Sequence, residues 1–379
     1  MNDHTLAGEL TGKRMSVKDL FDVKGFKTGA GLPAWLRDAP EAKQHAKAVE
    51  LLTSFGAYLD HKTQLDELAY SLAGNNSHYG ISRNPLDHRR YSGGSSSGSA
   101  VSVALGESDI GLATDTGGSI RVPASYCGLY GLRPTYGRVP TDGLVPLAPR
   151  FDTAGVLTRD LDTMESACKA LFAIDSTSNY NPPIEQMLWC ESLWQGCELA
   201  LKQHARRCYE SYLGNKREIT TPPLDAQKRR ECFSILQAVS IWQAHGKWLQ
   251  NNIHEFGEDI QTRLRWGQHL VSSKEGKQLI DQAEADLKHW KKTVQSWLPE
   301  RSALLMPTSP SVAPEINTNG NSSQHRNTLL GLTSIAGLSG WPQLQTPVSI
   351  DGGLPVGLSL LGREKSDMEL IELARQVLG

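Results

Sequence analysis

Two clusters of small hydroxyl and glycine residues carry the chemistry this sequence can do. The first is "YSGGSSSGSA", Tyr91 to Ala100, with five serines among ten positions. The second is "DTGGSIR", Asp115 to Arg121. Serine is a poor nucleophile until a neighbour takes its proton. A serine-rich run is therefore either a linker or part of a site that supplies such a neighbour. A linker is disfavoured, because "SAVSVALGESDIGLATDTGGS" follows at once with an apolar helix pattern and an apolar strand pattern. A phosphate loop needs a lysine after its glycines, and none follows here. Gly94-Ser95-Ser96-Ser97-Gly98 fits the G-x-S-x-G nucleophile elbow. That motif requires a buried strand before it, whereas "NPLDHRRYS" is polar. The remaining reading joins the clusters: they bracket one helix and one strand, which places both loops at one end of a sheet. Ser95 and Ser119 then stand 24 residues apart. Lys18, in "SVKDLFDVKG", leaves the first strand into a Gly-rich connection. Taken alone it reads as a surface charge.

The elements that must position these groups are legible in part. Lys13 to Asp19 reads as a strand, Glu41 to Tyr58 as a helix, and "TQLDELAYSLAG" as a short helix capped by Gly74. Ser97 to Leu105 is expected to be helical and Asp109 to Asp115 to be a buried strand. A strand and then a helix are expected within Ala154 to Ala173. Helices are expected over Leu224 to Asn252 and Gly276 to Trp297. "ALLMP", "QLQTPVSI" and "PVGLSLLG" read as strands, with a closing helix from Asp367. "NYNPP" at Asn179 reads as a linker and "NTNGNSSQ", Asn317 to Gln324, as a polar loop. The interleaving predicts an α/β fold with a mixed sheet.

Composition narrows the function classes. The 379 residues are 39% hydrophobic and 21% charged, with formal net charge −2. This fits an ordinary globular chain with no basic footprint for nucleic acid. The N-terminal residues lack the apolar core of a signal peptide, and no apolar run is long enough for a membrane span. A cytoplasmic location, without membrane or nucleic-acid partners, is the expectation. The six cysteines (127, 168, 190, 197, 208, 232) form no C-x-x-C pair and read as reduced thiols. No H-E-x-x-H occurs, and "HEFGE" at His254 reads as a helix end.

Three ordered blocks now carry a resemblance: "SVKDLFDVKGFKTGAG", "GGSSSGSA" and "GLATDTGGSIRVPASYCGLYGLRPTYGRVPTDGLVP", joined by the C-terminal "GLPVGLSLLG". Together they resemble the amidase signature family of serine hydrolases. The likeness is strongest from Met15 to Thr158 and thin from Ile174 to Ala303. Within the family the blocks are similar to those of plant-type indole-3-acetamide hydrolases, which share the departure of "GGSSSGSA" from the commoner G-G-S-S-G-G-S-A. The resemblance implies a central mixed twisted sheet covered by helices on both faces. It implies one domain over 1–379, with a catalytic core of about 13–175 plus 300–379 and a more variable helical insert of about 176–300. The chain also reaches its lysine sooner than most members do, so their N-terminal helices are expected to be missing, which bears on dimerisation and substrate entrance.

By the same resemblance Ser119 is the nucleophile, Ser95 the bridging serine after a cis peptide bond, and Lys18 the base. Lys18 can take a proton only when neutral, so it is expected to be buried in a pocket that lowers its pKa. The backbone N–H groups of Thr116, Gly117, Gly118 and Ser119 are the expected oxyanion hole. Asp115 and Arg121 are read as a structural ion pair. Ser96 is read as a hydrogen-bonding helper or a helix cap, and Ser97, Ser99 and Ser102 as packing or capping residues. Pocket candidates are Gly74 to Gly80, Ser125 to Tyr130, Trp242 to Trp248, and Gly337 to Gln343. Tyr126 and Trp341 are the aromatic candidates for an apolar slot. The expected reaction is hydrolysis of a small primary amide, such as indole-3-acetamide, to a carboxylic acid and ammonia through an acyl-enzyme. No metal or organic cofactor is implied, and a homodimer is the assembly left open. The rival readings are an amidotransferase A-type subunit of a tRNA-dependent complex, an amidase of other specificity, and a non-catalytic descendant.

Overall fold

The computed structural model describes residues 8–173, 182–316, 323–350 and 353–378. The strands in chain order are β1 (Arg14–Lys18), β2 (Tyr58–Thr63), β3 (Asn75–Asn76), β4 (Gly80–Ile81), β5 (Arg83–Asn84), β6 (Asp87–Tyr91), β7 (Ile110–Asp115), β8 (Tyr130–Arg133), β9 (Thr153–Thr158), β10 (Gln186–Trp189), β11 (Asn215–Glu218), β12 (Ser302–Pro307), β13 (Gln343–Ser349) and β14 (Pro355–Gly362). The helices are α1 (Pro33–Asp38), α2 (Lys47–Ser54), α3 (Ser97–Ala104), α4 (Arg121–Cys127), α5 (Leu161–Leu171), α6 (Leu199–Ser211), α7 (Ala226–Asn252), α8 (Glu258–Ser272), α9 (Lys274–Trp297), α10 (Ser323–Ser339) and α11 (Asp367–Leu378).

Ten strands form one mixed sheet in the order β11-β10-β12-β14-β13-β8-β9-β7-β1-β2. Both flanks are parallel, β11-β10-β12 on one side and β7-β1-β2 on the other, with antiparallel pairs between them. Strand periodicity assigns the faces. On β12, Ala303 and Leu305 join one apolar cluster with side chains of α2, α5, α6 and α11. Leu304 and Met306 join the other, with those of α7, α8, α9 and α10. The sheet is therefore helix-covered on both faces, as expected. Local signals close several helices. Asp160, Asp225 and Ser273 accept N–H bonds at the starts of α5, α7 and α9, and Gly128, with φ +70°, ends α4.

Several expectations need correction. The helix expected over Glu41 to Tyr58 is only α2. It buries Ala48, Val49 and Leu52 and stops before Gly56, whose φ of +101° turns the chain into β2. The helix expected in "TQLDELAYSLAG" shrinks to a single 3-10 turn at Glu67–Ala69, where Leu68 and Ala69 hold positive φ. There Asp66 and Glu67 spend their carboxylates on distant backbone N–H groups of Gly74, Ser77 and Gly257, not on a helix of their own. The region read as a helical insert contains β10 and β11, which belong to the central sheet. Each is only four residues long, too short to show a period. Helices α8 and α10 lie outside the helices expected from the sequence; α10 buries residues on every side and so shows no polar stripe. Most of "NTNGNSSQ" lies outside the described residues, but its Ser323 and Gln324 open α10. Asn179 to Asn181 of "NYNPP" also lie outside them.

Candidate active site

Lys18 ends β1. Met15 and Val17 of that strand face one apolar cluster, so Ser16 and Lys18 face the other way. Ser16 meets Ser108, and Lys18 is fully buried. Its Nζ lies 2.8 Å from Ser95 Oγ, 3.0 Å from Ser96 Oγ and 2.9 Å from Thr114 Oγ1. Three neutral hydroxyls thus take up the capacity of the lysine head, and none of them neutralises a charge. Burial lowers its pKa from 10.5 to about 7, against the opposing pull of Asp66, Asp115 and Asp152.

The serine run folds as a turn before α3, and the Gly94–Ser95 peptide bond is cis. Gly93 holds φ +78°, and a Cβ there would sit 2.9 Å from the Tyr126 ring. Ser96 does not cap α3 through its side chain. Its Oγ accepts from Lys18 and donates to the Thr114 carbonyl at 3.3 Å, so the helper reading holds and the cap reading does not. The other serines brace the helix: Ser97 to Ser82, Ser99 to Thr63 at 2.7 Å, and Ser102 to His61 and Ser108.

Ser119 sits 3% exposed on the turn from β7 into α4, and its carbonyl accepts the Ser96 N–H at 3.3 Å. The two clusters are thereby tied together at one end of the sheet. Asp115 organises this turn. It accepts from the N–H groups of Gly118 at 2.9 Å and Ile120 at 3.1 Å, and from both Arg121 and Arg133. Burial alone would raise its pKa, but the two guanidinium groups hold it well below the usual carboxylate range. The expected pair is a buried triplet. Gly118, expected among the four oxyanion donors, instead gives its N–H to Asp115.

Sequence reasoning missed four of these residues. Thr114 binds Lys18. Arg133 completes the charge triplet; as an arginine closing the strand "YGLR", it was the one visible signal. Asp152 accepts from Thr116 Oγ1 at 2.6 Å. Asp66 lies fully buried against Gly94.

A cavity of about 420 Å³ adjoins the serine turn, lined in part by Ser71, Leu72, Tyr126, Arg263, Arg326 and Leu329. Leu72 accepts the Gly94 N–H at 2.9 Å, which joins the cavity wall to the turn. Tyr126, one of the two aromatic candidates, is in this wall, with its hydroxyl 2.8 Å from His325 Nε2. Trp341 is instead core, packed beneath Arg363. Trp248 lines a separate groove with Trp35. Beside its apolar side chains, two guanidinium groups, Arg263 and Arg326, share the cavity wall. Among the described residues no group of three or more His, Cys, Asp or Glu side chains is placed to hold a metal ion. No helix there is long and apolar enough to cross a membrane.

Comparison with known proteins gives the family. The family model described as Amidase matches residues 2–192 and 225–371. Amidase 1 of Arabidopsis thaliana is 34% identical over 96% of this chain and 92% of its own length. The A-type subunit of the glutamyl-tRNA(Gln) amidotransferase of Methanospirillum hungatei is 27% identical over 97% of this chain and 92% of its own. A crystal structure of an amidase superposes with a TM-score of 0.84 at 31% identity, covering 97% of this chain and 84% of that one. The chain therefore belongs to the Amidase family and is a hydrolase of the carbon–nitrogen bonds of amides.

Proposed function

We propose that this amidase works through Ser119, Ser95 and Lys18 on a small primary amide, with an arylacetamide such as indole-3-acetamide as the lead substrate. The observation that carries the reading is the burial of Lys18 among three hydroxyls, with its pKa lowered to about 7. A lysine of ordinary pKa is protonated at neutral pH and takes no proton; this one is poised to do so. Ser119 Oγ attacks the amide carbonyl. Its proton passes to Ser95 Oγ, while the Ser95 proton passes to Lys18 Nζ. The N–H groups of Thr116, Gly117 and Ser119 receive the oxyanion. Collapse of the intermediate breaks the C–N bond, and the proton returns by the same route to the departing nitrogen, releasing ammonia. Water then attacks the acyl-enzyme by the same relay and frees the carboxylic acid. The arylacetamide assignment rests on the sequence resemblance and on Leu72, Tyr126 and Leu329 in the cavity wall.

The test is ammonia release from indole-3-acetamide, phenylacetamide, a short aliphatic amide and glutamine. Wild type is run beside Ser119→Ala and Lys18→Ala. Turnover of an arylacetamide, lost by about 10³-fold or more in both variants, is expected. Turnover of glutamine alone supports the amidotransferase reading, which the 27% identity to such a protein keeps in play. Unchanged activity in either variant refutes the triad.

A further inference from the structure

Asp66 is a buried carboxyl group that the relay does not use. Its Oδ2 accepts the Gly74 N–H at 3.0 Å, and its backbone N–H donates to the Ser95 carbonyl at 3.3 Å. A Cβ on Gly94 would fall 2.3 Å from Oδ2, so the carboxylate packs closely against the residue before Ser95. The other oxygen, Oδ1, is buried without a hydrogen-bond partner among the described residues. An orphaned carboxylate oxygen in a dry interior is costly unless a charge faces it at some stage.

We propose that Asp66 is the positioning residue of this site: its carboxylate holds the Ser95 turn and stabilises the ammonium that Lys18 becomes when it takes the Ser119 proton. This rests on the relay proposed above. Once Lys18 is protonated, the interior contains a cation that three neutral hydroxyls do not balance. Asp66 holds the backbone of Ser95, whose hydroxyl lies 2.8 Å from Lys18 Nζ, and so stands beside that charge. Asp115, from β7, is already neutralised by Arg121 and Arg133. Asp152, before β9, is engaged by Thr116 and by the N–H groups of Leu147 and Ala148. Glu67, next to Asp66, turns away to Ser77 and Gly257. Asp19, next to Lys18, pairs with Lys62 of β2. That leaves Asp66 as the carboxylate free to answer the new charge. Burial raises its own pKa to about 6, against the Gly74 N–H, the Ser71 hydroxyl and Lys18, so it is ionised where the relay operates.

The test compares pH profiles of kcat/KM for wild type, Asp66→Asn and Asp66→Glu. Asparagine keeps an acceptor for Gly74 and removes the charge. Without the carboxylate the Lys18 ammonium is less stable. The acid limb is therefore expected to move about one pH unit lower, with an about tenfold lower plateau from the weaker base. Glutamate keeps the charge, and its acid limb is expected within half a unit of wild type. A purely structural Asp66 lowers the melting temperature and the rate of Asp66→Asn without moving the limb, and that result overturns the proposal. Should Asp66→Asn not fold, a limb that falls by about one unit in Asp66→Glu overturns it equally. If Lys18→Ala retains activity, the relay itself fails. If Lys18→Ala is dead and the Asp66→Asn limb stands still, only the role of Asp66 fails.

Discussion

Replacing Lys18 by methionine should abolish activity and yet stabilise the protein, by an amount that depends on pH. The lysine is fully buried and its pKa falls from 10.5 to about 7. Each unit is about 1.4 kcal/mol, so below pH 7 the folded state carries a penalty of about 5 kcal/mol for holding the charged lysine in a buried site. The sign follows from proton counts. Between pH 7 and 10.5 the unfolded chain keeps the lysine proton and the folded chain does not. Raising pH through that window therefore stabilises wild type, at about 1.4 kcal/mol per unit. Methionine carries no such term, being close in length and apolar. Its substitution also removes one hydrogen bond from each of Ser95, Ser96 and Thr114, at about 1 kcal/mol each. The net gain at pH 6.5 is thus about 2 kcal/mol. The more secure quantity is the change of the difference with pH: the advantage of Lys18→Met should shrink by about 3 kcal/mol between pH 6.5 and 9.5. Urea unfolding of both proteins at the two pH values reads it directly. A stability difference that stays constant across that range would mean that Lys18 is charged in the folded protein, and would refute both the burial argument and the base it supplies.

Two further outcomes follow from the packing around the site. Arg121→Met leaves the buried Asp115 with Arg133 alone and should cost about 3–5 kcal/mol in urea unfolding at pH 7; a loss under 1 kcal/mol would mean that Arg133 suffices. Gly98→Ala places a Cβ 2.6 Å from the Gln64 carbonyl oxygen and 2.8 Å from the Gln64 nitrogen, so α3 must move off the segment leading to Asp66. It should lower stability by about 1–3 kcal/mol and slow catalysis together, and normal melting and turnover would show that the turn yields freely.

What the sequence disclosed follows from how local the determinants are. The elements carrying Lys18, Ser95 and Ser119 were legible because each is fixed by its neighbours. Alternation ends at Lys18, small residues fill α3, and glycine turns flank both serines. The carboxylates were not legible in the same way. Asp66 is one acid among many in the string, and only the folded chain brings it to Gly94, while Arg133 meets Asp115 through strands β8 and β7, with β9 between them. Short elements failed for a related reason. The four residues of β10 become a strand because β12 pairs with them from more than a hundred residues away. Tyr70 to Gly74 follow a helix-like pattern and do not form one, because Glu67 is recruited to Gly257 at the start of α8.

The sheet topology explains why three distant segments meet at one edge of the sheet. β1 and β7 are neighbours and run parallel, with Met15 opposite Ile110 and Val17 opposite Leu112. Their carboxyl ends therefore lie side by side, and Lys18 meets Thr114 across that edge. Helix α3 precedes β7 as its crossover, so the α3 amino end, with Ser95 just before it, must return to the same edge. Helix α4 leaves β7 there, with Ser119 just before it. Had β7 run antiparallel to β1, Asp109 and Ile110 would stand beside Lys18 and Ser119 would lie at the far end of the strand. The parallel triplet β7-β1-β2 is thus the part of the sheet that the proposed relay depends on, in line with sites forming beyond the carboxyl ends of parallel strands. The antiparallel strands from β9 to β14 contribute Arg133 and the support for α10.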